Sequence, residues 1–189
     1  HSKDVFLALS HGVGTGKLRK KNTAKEKNDP RVKFMNSLKK KLTNVDFNFF
    51  GMNGVQPIWA SEFDKNIKNC YMGICLQRKP LLKYGLSDRI AQYLGNGLMV
   101  FIENETKYYD ILKPNEEAVY FDGVEDLSEK IKYYKHNKDK ALQIAYNGHK
   151  KMHSDFNERV ITNYMLDCLK CKDTSKLQDK YNWPIHFYN

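Results

Sequence analysis

The chain has 189 residues and a formal net charge of +10, with 41% hydrophobic and 29% charged residues, which is ordinary for one soluble globular domain with a substantial core. Its 12 Tyr and 10 Phe exclude wholesale disorder. No apolar run approaches the ~20 residues that a bilayer span needs, and Val5 to Leu9 is too short an apolar core for a signal peptide.

The abrupt start at His1, directly before an apolar run, is that expected of an excised or tag-trimmed piece. Val5 to Leu9, between Asp4 and Ser10 and closed by glycines, has the pattern of a strand buried on both faces. His11, Gly12, Gly14 and Gly16 follow. They do not make the phosphate loop G-x-x-x-x-G-K-[ST], because His11 and Leu18 break its two ends. The glycine spacing also misses the dinucleotide fingerprint G-x-G-x-x-G. Glycines after a first strand still let backbone N–H groups approach a phosphate closely, and Lys17, Arg19, Lys20 and Lys21 come directly after them. Between Lys17 and Lys41 stand 11 Lys/Arg against 2 Asp/Glu, a local charge of +9, so nearly all the excess lies here. Such a segment suits a phosphate-bearing partner, and residues 17–29, rich in Lys and Asn, are predicted to form a mobile basic loop.

Helices are predicted over Pro30–Leu42, Ser61–Asn69 and Ser87–Leu94, alternating with apolar strands at Val45–Phe50, Tyr71–Leu76, Leu98–Ile102 and Ala118–Phe121. This alternation predicts an α/β fold, a Rossmann-like and mostly parallel sheet with helices on both faces. After Phe121 only helical patterns remain. Leu127, Ile131 and Tyr134 share one face; Asn137 is placed to cap a second helix carrying Ala141, Ile144, Ala145 and Gly148; a third carries Phe156, Val160 and Tyr164, with Ile161, Met165 and Leu169 alongside. The expected division is a domain over residues 1–171 and a tail over 172–189, whose Trp183 and Pro184 are predicted to pack on it. Cys168 and Cys171 have zinc-like spacing, but Cys70 and Cys75 supply no matching second pair, so no metal is expected. Cys75, inside an apolar run, reads as a buried free thiol in a reducing, cytoplasmic protein; an anionic membrane surface would also suit the basic segment.

The segment from Arg78 to Gly97 concentrates the chemistry. Ser87 is the predicted N-cap of a helix whose apolar face is Ile90, Ala91 and Leu94 and which stops at Gly95, Asn96 and Gly97. Arg78, Lys79, Lys83 and Arg89 surround its start, where free N–H groups and the helix dipole already favour an anion. A run of cations there requires a compensating anion, which points to bound phosphate.

Ser87 to Val100, with Glu116 to Tyr134, Ile144 to Lys150 and Phe156 to Val160, resembles group 1 glycosyltransferases, whose donor helix and following strand read roughly R-[hydrophobic]-[FY]-E-A-[ML]-A-x-G. The similarity covers about Tyr71 to Leu166 and, more weakly, extends back to Phe6. It implies one lobe of a GT-B glycosyltransferase, the lobe that binds a nucleoside-diphosphate sugar. The acceptor lobe would then precede residue 1, and the acceptor, whether glycan, lipid or protein, is not specified. In this frame Gly12, Gly14 and Gly16, with His11, form the donor glycine loop. Lys17, Arg19 and Arg89 serve as catalytic cations at the leaving diphosphate. Arg78, Lys83, Ser87, Asp88 and Asn96 line the donor site. Gln92 stands where the family places a ribose-binding Glu, and Tyr84 where retaining members have another Glu, eight residues earlier. Hydroxyl binding survives at Gln92 without the negative charge. No cofactor is needed beyond the donor itself, and no residue reads as a catalytic base. Two other functions compete: a basic α/β module that binds RNA, although no K/R-G-F/Y-G/A-F-V motif is present, and a sugar-nucleotide epimerase of similar fold.

Overall fold

The computed structural model of the chain describes residues 1–9, 29–85, 87–170 and 175–185. Strands β1 (Val5–Ala8), β2 (Phe47–Phe50), β3 (Met72–Cys75), β4 (Met99–Glu103) and β5 (Val119–Phe121) form one parallel sheet in the order β2-β1-β3-β4-β5. The described helices are α1 (Pro30–Lys41), α2 (Ala60–Ile67), α3 (Arg89–Gly95), α4 (Gly123–His136), α5 (Lys138–Asp155), α6 (Glu158–Lys170) and α7 (Ser175–Lys180). This is the Rossmann-like α/β architecture with trailing helices that the alternation predicts. No described helix is long and apolar enough to cross a membrane.

The strands read as continuous apolar runs because both faces are covered. Successive side chains alternate between faces. Val5 and Leu7 therefore join a layer with Met35 and Leu38 of α1 and Leu127 and Ile131 of α4, whereas Phe6 joins Ile67 of α2 and Ile90, Tyr93 and Leu94 of α3. Helix α1 starts where its sequence says it should. The Asp29 carboxylate accepts the Arg31 N–H at 2.9 Å, and Pro30 occupies a position whose N–H would have no partner.

Tyr134 of α4 and Ala141, Ile144, Ala145 and Gly148 of α5 are buried, as their spacing predicts. Asn137 does stand at the start of α5, but its side chain does not cap that helix; it donates to the Tyr133 carbonyl at 2.8 Å. In α6, Met165 and Leu169 are exposed. Trp183 packs against Phe156, Tyr164 and Tyr181, and the Tyr181 hydroxyl donates to Asp167 at 2.6 Å.

Asp4 gathers the amino ends of the strands. Its carboxylate accepts from the Asp46 N–H at 2.8 Å, the Tyr71 hydroxyl at 3.2 Å and the Lys135 ammonium of α4 at 2.6 Å. Burial opposes its charge, but these three donors outweigh burial and hold the carboxyl below its ordinary value. With the folded pKa below the unfolded one, the stability this group contributes is present above the unfolded value and is lost as pH falls through the folded value. Asp4→Asn is expected to cost about 1–3 kcal/mol near neutral pH. In urea unfolding, the stability lost by the wild type between about pH 5 and pH 2 should shrink in the variant. An unchanged acid limb would remove Asp4 from the account.

Candidate functional site

The order of the sheet places a crevice between β1 and β3. From β1 the chain goes to β2 on one side and returns to β3 on the other, the topological switch point at which open α/β sheets take ligands, beyond the carboxyl ends of the strands. The two strands pair only at Val5–Met72 and Phe6–Gly73 and then part. Parted strands leave backbone groups without ladder partners. Helix α3 supplies them: the Ala8 N–H donates to the Tyr93 hydroxyl at 3.1 Å, and the Arg89 guanidinium donates to the Ala8 carbonyl at 3.3 Å and the Leu76 carbonyl at 2.8 Å. Tyr93 reaches this position because residue 73 is glycine; a Cβ there would lie 2.6 Å from the tyrosine ring. Burial pushes the Tyr93 pKa upward, so the hydroxyl stays protonated.

Above the parted ends opens a cleft of about 660 Å³ with two unlike walls over a floor that includes Ala8 and Leu9. One wall runs from Pro57 to Asp64 and carries Ile58, Trp59 and Phe63. The other carries Gln77, Arg78, Ser87, Asp88, Arg89 and Gln92, and Arg31 of α1 also borders the space. Arg31 is paired with Asp29 at 2.6 Å.

Of the residues expected to bind a donor, the structure thus gathers Arg78, Ser87, Asp88, Arg89 and Gln92. Lys83, Tyr84 and Asn96 do not line the cleft. The Tyr84 hydroxyl bonds the Asp110 carboxylate, and Lys83 lies 3.9 Å from the same carboxylate. Asn96, at the far end of α3, donates to the Gln92 carbonyl at 2.8 Å. His11, Gly12, Gly14, Gly16, Lys17 and Arg19 lie outside the described residues, as do most of the 17–29 basic segment and Cys171.

The start of α3 differs from its sequence reading. The residue before the first turn is Asp88, not Ser87, and no side-chain cap bond forms. The Ser87 hydroxyl accepts from Arg89 Nε at 3.1 Å instead, which aims the guanidinium at the strand ends. Nor is Ala91 part of the buried face; it is exposed, and Tyr93 is buried with Ile90 and Leu94.

The cations around this helix also have protein partners. Lys79 pairs with Glu105 at 3.1 Å, and Lys83 with Asp110. The Tyr84 N–H donates to the Thr106 carbonyl at 2.8 Å, so the loop between β3 and α3 is strapped to the segment that follows β4. The anion that the cation run demanded is thus supplied in part by Glu105 and Asp110. Glu103, at the end of β4, accepts the Gln77 N–H at 2.8 Å, and burial raises its pKa.

The thiols of Cys70 and Cys75 are buried, which pushes their pKa values up to about 12 and leaves them unreactive. Cys168 is exposed. Among the described residues no three His, Cys, Asp or Glu side chains gather as a metal site would need.

Sequence reasoning missed the wall from Pro57 to Asp64. Its one signal was Pro57-Ile58-Trp59, an apolar triplet after a glycine-bearing turn at the carboxyl end of a strand, where a ligand-facing loop belongs.

Comparison with known proteins adds the following. The sequence model of a family described as glycosyl transferase-like matches residues 28–167. No curated protein matches the chain in sequence. Among solved structures, Anabaena HepE in complex with UDP and glucose superposes with a TM-score of 0.58 at 13% identity, over 89% of this chain and 48% of HepE. TarM gives 0.59 at 11% identity, over 87% of this chain and 34% of TarM. A putative UDP-N-acetylglucosamine 2-epimerase from Listeria monocytogenes gives 0.52 at 12% identity, over 100% of this chain and 48% of the other. These likenesses concern the fold, and the chain spans half or less of each protein's length.

Proposed function

The chain belongs to the glycosyl transferase-like family, and from that premise we propose that its cleft receives a nucleoside-diphosphate sugar. The observation that carries this is the place of the cleft, at the sheet's switch point, between an apolar aromatic wall and a wall bearing Arg78, Arg89 and Gln92. An aromatic wall suits a nucleobase and a cationic one a diphosphate. The presence of UDP and glucose with HepE, whose fold is similar, supports the same ligand class.

In the proposed reaction the bond from the anomeric carbon to the diphosphate oxygen breaks, and its electron pair leaves with the diphosphate. The acceptor oxygen bonds to that carbon. Charge developing on the leaving group is met by Arg89, two of whose five N–H groups are not engaged by Ala8, Leu76 or Ser87. Lys17 and Arg19 are assigned the same task on sequence grounds alone, with Gly12, Gly14 and Gly16 as the close-approach loop. Gln92 is assigned a sugar or ribose hydroxyl. The acceptor and a general base would come from a second lobe, so the chain by itself binds donor and transfers little.

A thermal-shift series with UDP, GDP, ADP and CMP tests the proposal. At least one should raise the melting temperature at millimolar concentration, by about 1 °C or more. If none does so, the donor-lobe proposal falls. Rapid transfer by the isolated chain would instead sink the claim that a second lobe is required.

A further inference from the structure

The apolar wall carries one charged group. Helix α2 turns Ala60, Phe63 and Asp64 toward the cleft while Ile67, one turn on, is fully buried. Phe63 packs edge-on against Phe6 of β1, with ring centres 5.3 Å apart at 90°, which fixes the roll of the helix. Trp59, at the helix entrance, is 62% exposed and makes no ring contact with a described residue. Asp64 makes no ion pair or side-chain hydrogen bond with a described residue.

That carboxylate is exposed at the border of the cleft and takes no part in packing the helix onto the sheet. It stands in the second half of an eight-residue helix, where the dipole disfavours negative charge. The nearby Lys65 is engaged by Glu62 at 3.0 Å. It is equally out of place for a diphosphate, which it would repel. Asp88, the carboxylate of the opposite wall, is different, because it stands at a helix start, the end of the dipole that favours negative charge.

We propose that Asp64 is the base-selecting residue of the cleft and that it selects guanine, so that the nucleotide bound is a guanosine diphosphate derivative. This rests on the nucleotide-sugar proposal above and narrows it. A base stacked on the Trp59 wall presents its edge along α2. An ionised carboxylate only accepts hydrogen bonds, and it accepts two side by side. Guanine alone among the common bases offers two adjacent donors on one edge, N1–H and the exocyclic amine. Uracil places N3–H between two carbonyls, which the carboxylate repels, and adenine sets one amine beside an unprotonated ring nitrogen.

Calorimetric titration of the full chain with GDP, UDP and ADP tests this, alongside Asp64→Asn and the control Glu62→Gln. The wild type is expected to bind GDP roughly 10–100-fold more tightly than UDP, the discrimination a bidentate base contact gives. Asp64→Asn should bring the two within about threefold, mainly by weakening GDP. Glu62→Gln should leave the ratio unchanged, and circular dichroism should show all three chains folded. A wild type that binds UDP as tightly as GDP, or an Asp64→Asn chain that keeps the preference, overturns the selector role while the nucleotide-sugar cleft stands. If the wild type binds none of the three nucleotides, the cleft proposal itself fails.

Discussion

Arg89→Ala is expected to lose about 3–5 kcal/mol of stability, far more than an ordinary surface arginine would. The guanidinium is the described partner of the Ala8 carbonyl and donates to the Leu76 carbonyl at 2.8 Å, and Leu76 is almost wholly buried. Leaving buried acceptors without a donor costs about 1–3 kcal/mol each, more when the lost donor is charged. Arg89→Lys should be intermediate, since an ammonium on a flexible stem cannot reproduce a rigid fork spanning two strands. Guanidinium unfolding curves of the three chains would measure the order. Nucleotide affinity, taken at a temperature where the variants are folded, should fall about tenfold or more in Arg89→Ala, roughly 1.4 kcal/mol. An alanine variant as stable as the wild type would show that the strand ends do not depend on this side chain.

Gly51→Ala is expected to be nearly as damaging, at about 2–4 kcal/mol, for a different reason. Gly51 follows β2 with φ +76°, a left-handed conformation costly for any residue with a Cβ. A Cβ there would lie 1.9 Å from the Leu9 carbonyl oxygen, so the backbone of β1 or β2 would have to move. The same substitution at Gly54, with φ +80° and open space around it, isolates the conformational part and should cost only about 1 kcal/mol. Melting temperatures of the two variants make the comparison. Equal losses would mean that the contact with Leu9 is relieved at no cost.

Most of the fold was legible because its signals are local. Val5 to Leu9 and Leu98 to Ile102 read as strands from apolar continuity, and Asp29-Pro30 announced α1. The register of the sheet is not local, and nothing in the sequence showed that β1 and β3 would pair over two residues only. The candidate site was half legible. Arg78, Ser87, Asp88, Arg89 and Gln92 cluster in sequence and line one wall, whereas Trp59 of the other wall precedes, and Asp64 lies within, a predicted helix that no glycine loop or cation run marks as a site. Lys79 and Lys83 looked like unpaired cations because Glu105 and Asp110 lie 26 and 27 residues further along. Ser87 looked like a cap because serine usually caps, and Arg89 two residues on took its hydroxyl instead. Tyr93 was overlooked in the buried face because its hydroxyl suggests a surface residue, yet here that hydroxyl serves the backbone of β1.

The short pairing between β1 and β3 gives the sheet a seam. On one side stands the β2-β1 pair, on the other β3, β4 and β5; two register pairs and the Asp4 carboxylate join the halves at the amino end, and the side chains of α3 join them toward the carboxyl end. The unpaired end of that seam opens into the floor of the cleft. A ligand that touches both walls acts as a suture across that line, and its binding energy is spent partly on stiffening the protein that receives it.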